Sequence, residues 1–262
     1  MDIADRVAAL DWATLERDLD AWGWARTPPL LTPEECAALV ALYPDDRHFR
    51  ARIDMARYRF GVGEYKYFAY PLPPVVADLR RRLYPPLAKV ANRWQAELGT
   101  RLRFPDDLDS LLARCRRAGQ TRPTPLLLRY EAGGYNCLHQ DIYGPVAFPL
   151  QVTCFLSARH EYQGGEFLLV EQRPRAQSRA DVVNPEQGEA VLFATRERPV
   201  AGRRGPFRAV MRHGVSRVTA GARYTLGVIF HDAAEPRRDG SVRRKDRPRR
   251  LRPGGGRATV PA

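Results

Sequence analysis

Between Pro125 and Asp232 the chain is cut into short apolar segments separated by glycine and proline, and this pattern narrows the fold more than any other feature. Leu126-Leu127-Leu128 is an apolar run of the kind that forms a buried strand. Phe148, Leu150, Val152, Cys154 and Leu156 alternate with mostly polar neighbours, which predicts a strand with one face in a core. Gly164-Gly165 turns the chain into Glu166 to Val170, and Ala190 to Phe193 and Arg223 to His231 add further strands. Many short strands joined by Gly and Pro turns predict a sandwich or barrel.

The first 120 residues have a different character. Ile3, Val7, Leu10, Leu15, Leu19 and Trp22 recur mostly at helical spacing. Thr32-Pro33-Glu34-Glu35 reads as a capping box with proline at the first helical position, and Cys36, Leu39, Val40 and Tyr43 follow on one face until Pro44. Val75 to Leu98 is a long helical stretch in which Pro85-Pro86 is expected to kink the helix or divide it. Another helix is expected from Asp107 to Arg117, stopping at Gly119. Between these lie the aromatic and basic runs Arg57-Tyr58-Arg59-Phe60 and Tyr65-Lys66-Tyr67-Phe68. They read as short strands or a loop over the core: a flap over a pocket, or a surface on which bases could stack.

Length bounds the chain to one large domain, or one core with an appended subdomain. The formal net charge is +13, and all but three of the 43 basic residues are arginine. Ten basic and three acidic residues fall after Asp232, in a segment rich in Arg, Pro and Gly that is expected to be disordered. Such charge can attract a polyanion. No nucleic-acid motif accompanies it, so a solvated basic surface with a disordered tail is the favoured reading and nucleic acid the alternative partner. Cys36, Cys115, Cys137 and Cys154 form no CxxC pair and read as reduced, mostly buried thiols. Cys137 lies two residues before His139 and is assigned a packing role. The acidic N-terminus lacks the apolar core of a signal peptide, and no apolar run approaches the ~20 residues that span a bilayer. A cytoplasmic protein with no membrane partner is expected.

The chemistry-bearing residues concentrate in three pieces. In extended chain His139 and Asp141 point the same way, and an imidazole beside a carboxylate can hold a metal that needs a third ligand. His213 offers one. In the last strand alternation places Arg223, Thr225, Gly227 and Ile229 on one face, and a guanidinium, a hydroxyl and a missing side chain together suit a buried carboxylate ligand. Of the remaining histidines, His231 falls at the end of that strand and is read as structural, and His160 as an exposed loop residue. Two histidines and a carboxylate on one face of an iron leave positions open for a bidentate co-substrate and O₂.

His139-x-Asp141, His213 and Arg223 ten positions later resemble the 2-oxoglutarate- and Fe(II)-dependent oxygenases, in particular the prolyl-hydroxylase-like branch. The resemblance extends to Arg129-Tyr130, Gly133-Gly134, Gly164-Gly165-Glu166-Phe167, His213-Gly214-Val215 and Gly221-x-Arg223-Tyr224-Thr225. More loosely, the helical first half is similar to that of an uncharacterised bacterial group within the superfamily. The resemblance implies an α+β protein. Its double-stranded β-helix (jelly roll) core would span residues 121–232, with a mainly helical region over 1–120 packed outside and a basic tail over 233–262. It implies iron on His139, Asp141 and His213. It also implies 2-oxoglutarate held by Arg223, with Thr225 and Tyr130 beside it, O₂ as second co-substrate and ascorbate as an optional accessory. The implied reaction hydroxylates an unidentified substrate and releases succinate and CO₂.

Three alternatives stand beside this. A metal-dependent hydrolase or cupin-like isomerase would use the same three ligands with a bound water, but has no need of a carboxylate clamp at Arg223 and Thr225. A basic nucleic-acid-binding protein would use the jelly roll as scaffold only. A nucleic-acid demethylase would use the oxygenase itself, with Arg196, Arg198, Arg203, Arg204, Arg208 and Arg212 facing phosphates; the favoured reading of that segment is a flexible loop.

Overall fold

The computed structural model describes residues 1–141 and 144–235. Six helices lie mostly in the first half: α1 (Ile3–Ala8), α2 (Trp12–Trp22), α3 (Pro33–Ala41), α4 (Met55–Tyr58), α5 (Pro74–Glu97) and α6 (Leu108–Arg117). The periodic stretch from Ile3 breaks into two because Asp11 accepts a hydrogen bond from the Thr14 amide and starts α2 afresh. Thr32 and Glu35 form the expected reciprocal cap of α3. Asp107 caps α6, which stops before Gly119. Pro85 and Pro86 do not divide α5. An interior proline costs about 3 kcal/mol or more. Ten residues of α5 are buried, among them Leu79, Leu83, Leu87, Val90 and Trp94, and each large apolar side chain so buried contributes roughly 1.5–3 kcal/mol. Packing outweighs the lost backbone bonds.

Strands follow in chain order: β1 (Trp24–Arg26), β2 (Phe49–Asp54), β3 (Gly61–Val62), β4 (Glu64–Phe68), β5 (Gln120–Arg122), β6 (Leu126–Glu131), β7 (Tyr135–His139) and β8 (Leu150–Phe155). Then come β9 (Tyr162–Gly164), β10 (Phe167–Gln172), β11 (Arg179–Val183), β12 (Ala190–Ala194), β13 (Glu197–Val200), β14 (Phe207–Val215), β15 (Val218–Val228) and β16 (Ala233–Ala234). One sheet runs β1-β12-β8-β15-β6-β4-β2, with β9 also on β15; the other runs β11-β10-β14-β7-β3, with β13 also on β14. Their inner faces meet through Phe167, whose ring centroid lies 5.9 Å from that of Phe155 and 5.2 Å from that of Phe193. The arrangement is a jelly roll in which β12, β8, β15 and β6 oppose β11, β10, β14 and β7.

Three features depart from the sequence reading. The sheets recruit β1, β2, β3 and β4 from before residue 121, so strands of the first half cover the edges that β12, β6 and β7 would otherwise expose. Ala233–Ala234, at the start of the segment expected to be disordered, pairs with β5; residues 236–262 of that segment lie outside the described residues. The arginine-rich stretch after Arg196 forms the β13–β14 hairpin, and Arg198 is fully buried in it.

Candidate functional site

Strand β7 runs antiparallel to β14 with His139 directly opposite His213, which brings residues 74 positions apart into ring contact at 4.1 Å between centroids. Asp141 follows two residues after His139 and turns to the same side. Its Oδ1 lies 3.6 Å from Nε2 of His139 and its Oδ2 3.3 Å from Nε2 of His213. The three ligand atoms all fall within 4.8 Å of one another. The backbone carbonyl of Cys137 is 2.8 Å from Nδ1 of His139; a proton held there leaves Nε2 free to bind metal. His213 packs against Phe193 and Phe167.

Electrostatics suit a cation at this point. Burial, with His139 beside it, lowers the pKa of His213 and favours the neutral imidazole a metal requires. Burial opposes ionisation of Asp141, but the two imidazoles and the Gln151 amide outweigh it and hold the carboxyl well below the usual carboxylate range. The cluster thus presents a neutral His213 nitrogen and a negative Asp141 oxygen beside the His139 ring.

A cavity of about 360 Å³ opens from these residues between the sheets. Arg223, Thr225, Gly227 and Ile229 line it together, as alternation along β15 predicts. Arg223 is 1% exposed, and its three guanidinium nitrogens make no ion pair and no hydrogen bond of good geometry among the described residues, the Tyr162 phenol lying near them. Burial pulls its pKa below the usual arginine value, with the Tyr162 and Tyr130 phenols opposing. Its stem passes through a gap that only glycine leaves: a Cβ on Gly165, where φ is +65°, would sit 2.8 Å from Cδ of Arg223. Tyr130 is fully buried with its ring 5.7 Å from that guanidinium, and burial pushes its phenol up to about 12. Asn136 donates to the Tyr130 oxygen at 3.2 Å, which leaves the phenolic proton free to be donated.

The family model that matches residues 63–233 describes an oxygenase catalysing oxidative methylation of damaged DNA. The chain belongs to this oxygenase family. Two uncharacterised proteins from strains of Mycobacterium tuberculosis are each 51% identical to it over 168 residues, spanning 64% of this chain and 72% of theirs. A prolyl-4-hydroxylase structure from Pseudomonas putida shares its fold with a TM-score of 0.51 at 15% identity, covering 85% of this chain and 100% of that one. Family and fold make the protein an oxygenase built on a jelly roll.

The donor set fits the metal of such an oxygenase, since two imidazole nitrogens and a carboxylate oxygen converge. The orphaned guanidinium of Arg223 fits a carboxylate. Sequence reasoning missed Gln151, whose Nε2 donates to Asp141 Oδ2 at 2.9 Å and lies 3.3 Å from His213 Nε2. It also missed Asn136 and Thr153 on the cavity wall. The polar face of β8 was expected to look outward, yet all six of its residues are buried. The strand lies mid-sheet and its polar side faces the oxygenase's own cavity. Cys137, assigned to packing, is exposed at that cavity, whereas the other three cysteines are buried. His160 is exposed, and buried His231 accepts a hydrogen bond from the Phe148 amide at 3.1 Å, both apart from the metal cluster.

Proposed function

We propose that this oxygenase binds Fe(II) through His139, Asp141 and His213 and hydroxylates a base or base substituent in nucleic acid. Bound iron, with 2-oxoglutarate and O₂, supplies the oxidising chemistry and leaves succinate and CO₂. Arg223 takes the distal carboxylate of 2-oxoglutarate through its planar fork. Thr225 and the Tyr130 phenol donate beside it. Gln151 fixes the rotation of Asp141, and the apolar walls from Leu126, Phe167 and Ile229 exclude water. One observation carries the reading: three ligand atoms gather on one wall of a cavity that is also lined by a buried guanidinium with no acceptor among the described residues. The hydrolase alternative leaves that guanidinium unexplained. The choice of nucleic acid rests on the description of the matched family and on the net charge of +13.

The test measures succinate release with Fe(II), 2-oxoglutarate and ascorbate over panels of alkylated oligonucleotides, peptides and metabolites. Oligonucleotides should stimulate turnover, and His213→Ala should lose iron retention and at least ~100-fold of the rate. Intact turnover in His213→Ala would refute the metal assignment. Stimulation by peptides or metabolites in place of oligonucleotides would refute the substrate class.

A further inference from the structure

The segment from Met55 to Val62 has a surface that the chemistry above does not use. Met55 is fully buried and anchors the short helix α4. Arg59 then takes a left-handed backbone conformation (φ +62°), a choice that costs a non-glycine residue roughly 1–2 kcal/mol. The chain returns along β7: the Phe60 carbonyl accepts from the Cys137 amide at 2.8 Å, and Gly61 pairs with Asn136. That approach is close enough that a Cβ on Gly61 would lie 2.2 Å from the Tyr135 carbonyl oxygen. The segment is therefore fastened to the strand that carries His139.

On this fastened turn two large aromatic rings face solvent. Tyr58 is 51% and Phe60 46% exposed, stacked on each other with centroids 5.6 Å apart and planes 19° from parallel. They divide two depressions. Arg59 and Phe60 line the catalytic cavity, whereas Arg57 and Tyr58 line a second cleft of about 260 Å³. Arg57 and Arg59 have no ion pair or side-chain hydrogen bond among the described residues, while nearby Arg52 is engaged by Glu64 and Arg129 by Glu131. A ridge of stacked rings beside two uncommitted guanidinium groups matches the needs of an unpaired strand, in which bases stack on aromatic faces and phosphates seek arginine.

We propose that Tyr58 and Phe60 form a stacking ridge for the nucleobase that flanks the reacting one, with Arg57 and Arg59 on the adjoining phosphates. This rests on the nucleic-acid reading above and adds how the strand is parted: the reacting base enters the cavity on the Phe60 side and its neighbour lies against Tyr58. Sequence tolerance at the neighbouring position follows, because every base has a π-face.

The test uses the full chain and a fluorescein-labelled single-stranded 15-mer, read by anisotropy at fixed salt. Tyr58→Ala and Phe60→Ala should each weaken binding about 5- to 150-fold, the size of one lost base–aromatic stack. Tyr58→Leu and Phe60→Leu keep apolar bulk and should lose as much, whereas Tyr58→Phe and Phe60→Tyr should bind as the parent does. Arg57→Gln should reduce the salt slope by about one. Leucine variants that bind like the parent would overturn the ridge, because mere apolar contact would then suffice. If the parent oxidises an oligonucleotide that the alanine variants also bind and oxidise normally, the ridge falls and the nucleic-acid reading stands. If the parent binds no oligonucleotide, both fall together.

Discussion

Two fully buried arginines behave in opposite ways. Arg198 lies on β13 under α2, and its guanidinium engages Glu171 and donates to the carbonyls of Asp20 at 2.7 Å and Ala21 at 3.0 Å. It thereby satisfies orphan acceptors at the end of α2 and pins that helix to the sheet. Arg223 lies on β15, equally sheltered, with no acceptor for any guanidinium nitrogen among the described residues. A buried charge without a partner is expensive. A fold that tolerates it has left room for an anion that is not part of the chain. Arg80 follows the pattern of Arg198: it pairs with Asp232 at 2.8 Å and donates to the carbonyls of Ile229 and Phe230, joining α5 to the chain just beyond β15. Arg198 and Arg80 hold elements of this fold together, and Arg223 lines the cavity with no acceptor among the described residues.

Arg198→Met should cost about 3–5 kcal/mol of stability, because Glu171 stays buried without its main partner. Adding Glu171→Met should recover most of it; chemical denaturation of the two variants checks both. The neighbourhood of Arg80 should respond to pH. Burial, helped by the Arg80 charge, lowers the His231 pKa from 6.5 to about 4. The fold favours neutral His231, so this contribution is complete above pH 6.5 and lost as pH falls towards 4. It amounts to about 3 kcal/mol at the acid end, and His231→Gln should flatten that part of the stability–pH curve. Arg223→Met should leave the unfolding temperature unchanged or higher in the absence of 2-oxoglutarate, yet raise the KM for 2-oxoglutarate roughly 10- to 150-fold. A stability loss matching that of Arg198→Met would erase the distinction. Smallest of all, Thr225→Val should raise the same KM about two- to tenfold, as one neutral hydrogen bond allows.

Legibility varied with the distance over which each feature is determined. The cap at Thr32 is a local hydrogen bond and stood in the sequence as written. So did the shared face of Arg223, Thr225, Gly227 and Ile229, since a strand alternates wherever it lies. Gln151 escaped notice because a polar residue in an alternating strand reads as solvent-facing, and only the closed jelly roll turns that face onto Asp141. In the sequence Arg198 belongs to what reads as a flexible basic loop. Its partners lie at residues 20, 21 and 171, and no nearby residue announces them. The unbroken course of α5 through Pro85 and Pro86 was hidden for a related reason, as it depends on the core against which the helix packs.

By itself the sequence determined the candidate metal ligands, the shared face of Arg223, Thr225, Gly227 and Ile229, and the strand-rich class of the second half. Covalent geometry spaces side chains two by two along an extended chain wherever that chain ends up. Tertiary structure alone decided that His139 faces His213, that Gln151 reaches Asp141, and which buried arginine has no acceptor among the described residues. Those outcomes depend on sheet register and on burial, which are properties of the closed fold and of no local segment.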